Sequence, residues 1–134
     1  SVAVTALDAE IIAELKTVSH RAEFFPSLLR EAEHDMVRCV QHILEALEKR
    51  QHGAVRDAAH ALKGVSGSVG AVRVYALASS LMATPGDDLD RSAERWAADV
   101  SEALRITIAA LRREIEAAGN AAESSSGSPS LHFR

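Results

Sequence analysis

Apolar residues recur at spacings of three and four through two long stretches of this chain. Leu29, Ala32, Met36, Val40, Ile43 and Leu47 form the first stripe, and Trp96, Val100, Leu104, Ile108, Leu111 and Ile115 the second. That period follows one face of an α-helix. Stripes this long must be covered by other helices, because tertiary packing of the apolar face supplies most of a helix's stability. Shorter stripes are at hand in Ile11, Ile12, Leu15 and Val18, and in Val74, Leu77, Ala78 and Leu81. Aromatic residues are only 4%. Short β-branched or aromatic runs between turn signals are missing, which argues against a sandwich or barrel. With 134 residues, 47% hydrophobic and 25% charged, the chain is long enough for one core and too apolar for wholesale disorder. The expected fold is all-α: an antiparallel four-helix bundle with an additional short N-terminal helix.

Local signals set the expected boundaries. Asp8 reads as the N-cap of the first helix, which breaks around residues 19–21. Pro26 fits the first turn of the second, where its missing N–H costs nothing, and that helix is expected to reach about Lys49. Gly53 marks a turn. A third helix is expected over 54–69, ended by Gly70, and a fourth over 72–83. Residues 84–88, Thr-Pro-Gly-Asp-Asp, read as the clearest loop. The last helix is expected over 90–118, with Gly119 and Asn120 as terminators. The domain is thus placed at 1–118. A flexible Ser-rich tail follows at 119–134, containing Ser124, Ser125, Ser126, Gly127, Ser128, Pro129 and Ser130.

Composition excludes several functions. A single cysteine, Cys39, rules out an internal disulfide framework and a Cys-based zinc site. It lies beside a core stripe and reads as packing rather than as a nucleophile. There is no run of about 18 apolar residues, so membrane insertion of this segment is not expected. The formal charge of −4 argues against a nucleic-acid surface. Ser1-Val2-Ala3-Val4 has no basic region ahead of an apolar stretch, as a signal peptide would. The missing initiator Met reads as a fragment or a processed chain, and a cytoplasmic setting is expected.

Chemistry concentrates at Ala58-Ala59-His60-Ala61-Leu62-Lys63-Gly64-Val65-Ser66-Gly67-Ser68-Val69-Gly70-Ala71. At about 100° per residue, Ala58, Leu62, Val65 and Val69 fall within about 40° of the side opposite His60. They form the core face. Arg56, Gly64 and Gly67 fall within about 40° of His60, and Asp57 and Lys63 within about 60°. His60 therefore centres the solvent face, with a cation one turn on and two glycines baring the backbone beside it. Mid-helix glycines cost roughly 1 kcal/mol each relative to Ala, so two on one exposed face point to something large approaching closely. An imidazole is a nucleophile that is mostly neutral near neutral pH, and a nearby ammonium suits an anionic group attached to it. The same spacing also fits a surface histidine with tolerated glycines.

The run His60-Ala61-Leu62-Lys63-Gly64, followed by Ser66 and Gly70-Ala71, closely resembles the signature of histidine-containing phosphotransfer (HPt) domains of bacterial phosphorelays. The resemblance covers roughly residues 8–118. It implies that His60 accepts a phosphoryl group from the phospho-aspartate of a response-regulator receiver domain and passes it to the Asp of another. It implies that Lys63 steadies the group and that Gly64 gives the partner clearance. Arg56, Asp57, Gly64 and Gly67 are the expected partner-binding residues. A larger side chain at Gly67 should leave stability equal or higher while hindering the partner.

No cofactor is expected in this chain, Mg²⁺ being supplied by the receiver. The isolated domain is expected to be a monomer and not itself an enzyme. The expected parent is a hybrid sensor histidine kinase with this module at its C-terminus, on the cytoplasmic side of the inner membrane. In outline the parent resembles a diffusible-signal quorum-sensing kinase. One departure stands out, because Met82 occupies a position where such domains often carry Gln or Glu to orient the imidazole.

Two other readings compete. A dimerising histidine region of a sensor kinase usually has an acidic residue directly after its histidine, where Ala61 stands here. A receiver-binding module without phosphotransfer would need only the helical face. His20, His34, His42, His52 and His132 are expected on the surface, as are Arg112-Arg113-Glu114. The run Glu45, Glu48, Lys49 and Arg50 reads as a solvated helix end, and Phe24 and Phe25 as packing about Pro26.

Overall fold

The computed structural model describes residues 5–131, with side chains through Glu123. It contains six helices: α1 (Ala9–Thr17), α2 (Phe24–Glu48), α3 (His52–Ser68), α4 (Val72–Ala83), α5 (Gly86–Arg91) and α6 (Ala93–Leu131). No strand occurs among the described residues. Helices α2, α3, α4 and α6 form the bundle: α2 packs on α3 and α6, and α4 packs on the same two from the other side. Leu29, Met36, Ile43, Leu62, Val74, Leu81, Val100 and Leu111 fill its centre. These come from the stripes read in α2, α4 and α6 and from the core face read in α3. In α6 the buried face is centred slightly off the expected stripe. Ala103, Thr107 and Ala110 are buried, whereas Trp96, Leu104 and Ile115 are only partly covered.

The turns on either side of α3 are built alike. After α2, the Gln51 N–H donates to the Ala46 carbonyl at 2.9 Å and that of Arg50 to Leu47 at 3.3 Å. After α3, the Ala71 N–H donates to Ser66 at 2.8 Å and that of Gly70 to Gly67 at 3.3 Å. Both are Schellman closures, which need a left-handed residue. Arg50 takes it at φ 56° and Gly70 at φ 68°. Gly70 has a second duty, since its carbonyl accepts the Asp8 N–H at 2.7 Å. A Cβ there would lie 3.0 Å from that of Ile11 and 3.1 Å from that of Asp8. The glycine that ends α3 thus also seats α1, whose N-terminus is capped as expected by the Asp8 carboxylate on the Glu10 N–H at 2.9 Å.

Three expectations are corrected. Gly53 lies inside the first turn of α3, which begins at His52. Residues 84–88 are a loop only at Thr84 and Pro85. Pro85 ends α4, but its carbonyl then accepts the N–H groups of Asp88 and Leu89, both at 3.0 Å, and starts α5. Asp87 and Asp88 suit the positive end of that helix, and Leu89 anchors it in the core. Finally, Gly119 and Asn120 do not stop α6, which runs through them and takes in most of the segment read as a tail. His132 and Phe133 lie outside the described residues.

Candidate functional site

Helix α3 turns Val55, Ala58, Ala59, Leu62 and Ser66 inward. Ser66 is fully buried and its hydroxyl donates to the Lys63 carbonyl at 3.1 Å, so it serves its own helix. His60 falls on the far side and is exposed. No side chain among the described residues hydrogen-bonds or ion-pairs with its ring. Met82 is half-buried and packed on the core, and it gives the imidazole no hydrogen bond. One turn on, Gly64 is exposed, and a Cβ there would meet nothing within 4 Å.

The two flanks of His60 differ. On the side toward α4, Arg56, Lys63 and Gly67 are engaged. The Arg56 guanidinium donates to the Thr84 carbonyl at 3.3 Å. The Lys63 ammonium lies 5.4 Å from the centroid of the Tyr75 ring. Gly67 lies under the same ring, with its Cβ position 3.3 Å from Tyr75 Cε2. On the other side, Asp57 and Gly64 stand open. The residues expected on the face of His60 do share it, but Arg56 and Gly67 are already occupied within the chain. Gly67 makes room for Tyr75. A side chain there must displace that ring, so the stability gain expected from propensity alone is reduced.

Sequence reasoning also missed the His52 contacts. The sequence places His52 on the surface. It is instead the half-buried first residue of α3, and its Nε2 lies 2.9 Å from Asp90 Oδ1. Gly86 packs against the same ring so closely that a Cβ there would overlap it. Arg112 and Glu114, expected on the surface, also pair there, with Glu33 at 2.7 Å and Lys16 at 3.4 Å. Cys39 is buried as expected, and burial pushes its thiol up from the ordinary cysteine value, partly offset by Arg38. That disfavours the reactive thiolate.

No group of three or more His, Cys, Asp or Glu among the described residues is placed to hold a metal ion. A groove of about 1120 Å³ runs between the end of α2 and the start of α6, and none of its lining residues comes from α3. No helix of the described residues is long and apolar enough to cross a membrane. Around His60 the described residues leave an open helix face.

Comparison with known proteins agrees with this architecture. The sequence search among curated proteins returned no match. Among solved structures, histidine-containing phosphotransfer protein B (HptB) from Pseudomonas aeruginosa PAO1 superimposes with a TM-score of 0.65 at 23% identity. The match covers 85% of this chain and 97% of that one, and at this identity it speaks for the fold. The family model for the Hpt domain matches residues 27–121, from the first turn of α2 into α6 with His60 inside. The open histidine face, the four-helix bundle beneath it and this match over most of the chain agree: the chain belongs to the Hpt domain family, a histidine phosphotransfer module of two-component phosphorelays and not itself a kinase.

Proposed function

We propose that His60 is the phosphoryl acceptor, taking the group from the phospho-aspartate of one receiver domain and giving it to the aspartate of another. The observation that carries this reading is the unpartnered, exposed imidazole beside the bare backbone of Gly64. In the first transfer, the lone pair of an imidazole nitrogen attacks phosphorus in line. The N–P bond forms as the acyl P–O bond breaks, and the receiver's carboxylate leaves with its electron pair. The second transfer is the reverse, onto a different carboxylate. Such displacements depend on positioning and charge stabilisation more than on covalent chemistry by the protein. Lys63 is the cation within this chain for that task, and the divalent ion belongs to the receiver.

The test is transfer of label from a ³²P-phosphorylated receiver. The wild-type chain should gain acid-labile, base-stable label, as a phosphoramidate does, and the His60→Gln variant none. Equal labelling of the variant would move the acceptor to another residue. Receiver binding without any label would leave a docking module in place of a relay.

A further inference from the structure

The single tyrosine of the chain links two residues of the site. The ring of Tyr75 lies on Gly67, 3.3 and 3.4 Å from where a Cβ would stand, and the Lys63 ammonium lies 5.4 Å from the centroid of the same ring. The first contact favours the second, because a side chain at 67 would push the ring outward from α3. Core packing does not account for the arrangement, as Tyr75 is 41% exposed. The direction of the contact matters. Gly67 is one turn beyond Lys63 and His60 one turn before it. A ring anchored on Gly67 therefore draws the ammonium toward the side of Lys63 away from the imidazole.

We propose that Tyr75 is a holding site for the Lys63 ammonium in the unphosphorylated protein, a site that a phosphoryl group on His60 must outcompete. This rests on the reading of His60 as acceptor and Lys63 as its charge partner. The face of an exposed aromatic ring attracts an ammonium weakly, and an anionic phosphoryl oxygen attracts it more strongly. The group on His60 wins, but against a standing competitor. Tyr75 is thus a positioning residue that acts through Lys63. It lowers the fraction of phosphoryl held on His60 and favours passing it on.

The experiment is the equilibrium distribution of phosphoryl between a receiver and this chain, with folding of each variant checked by helical content. Tyr75→Leu keeps apolar bulk and removes the ring face. It should shift the equilibrium constant toward phosphorylated His60 by about two- to fivefold. Tyr75→Phe keeps the ring and should match wild type. In a Lys63→Met background, Tyr75→Leu should have no effect. Wild-type Lys63 ε-methylene protons should also show an upfield ring-current shift that is lost on phosphorylation. No shift with Tyr75→Leu, a shift in the opposite direction, or the same shift in the Lys63→Met background would overturn the proposal while leaving His60 as acceptor. A wild-type chain that takes no label at all would overturn both readings.

Discussion

His52 opens α3 and His60 stands eight residues, about 12 Å, further along it. One ring nitrogen of His52 meets Asp90 at 2.9 Å, and the backbone at Gly86 covers the other side of the imidazole. His60 has no such neighbour. The same residue type on the same helix serves as a fastener at one end and stays free at the other. What separates them is what the rest of the chain brings to each place. The turn between α4 and α6, through α5, closes over the start of α3, while none of the described residues crosses the surface at His60. A histidine held by its neighbours steadies the fold, and only the unheld one keeps a lone pair available to an incoming group.

That contrast can be broken experimentally, and the largest effect is expected at the free histidine. His60→Gln should abolish phosphoryl acceptance and leave the melting temperature within about 1 °C, since an exposed side chain without partners contributes little to stability. Label transfer and thermal melting together check it, and a large drop in melting temperature would mean that His60 is also structural. Next in size, Lys63→Ala should slow transfer about tenfold without preventing it, the scale of one charge-assisted hydrogen bond in the transition state. An unchanged rate in rapid-quench measurements would reduce Lys63 to a solvated residue.

The fastener should respond in the opposite way. His52→Ala should cost about 1 kcal/mol of stability, a few degrees of melting temperature, at normal transfer rates. Gly86→Ala should cost about as much by pushing the ring off Asp90, yet add little in the His52→Ala background. A denaturant-melt cycle in which the two changes simply add would show that they act separately. The smallest effect separates the flanks of His60. Gly64→Ala should raise stability by up to about 1 kcal/mol because its Cβ meets nothing. Gly67→Ala should gain less because Tyr75 must yield, and equal gains would show that the ring moves freely.

Most of the bundle and the layout of the helix face around His60 are legible in the sequence because both are local patterns. The stripes of α2, α4 and α6 announce their period directly, and the angular positions of Leu62, Val65, Lys63 and Gly64 follow from His60 by counting. What stayed hidden depends on residues distant in the chain. Nothing near His52 names Asp90, 38 residues away, as its partner. Nothing near Gly67 names Tyr75, because the pairing depends on how α3 and α4 align. The Pro85-Gly86 pair was read for what it ends and not for what it begins. Gly119 was weighed by its own propensity, although a long helix can carry one poor former through an exposed turn.

The bare surface around His60 also bears on time. A phosphoramidate formed there would stand in water, with no loop among the described residues to cover it. The described residues then offer the bond charge at Lys63 but no cover, so its lifetime depends on the medium and on the next encounter. The tempo of signalling would be set by how often receivers arrive and how quickly they discharge it.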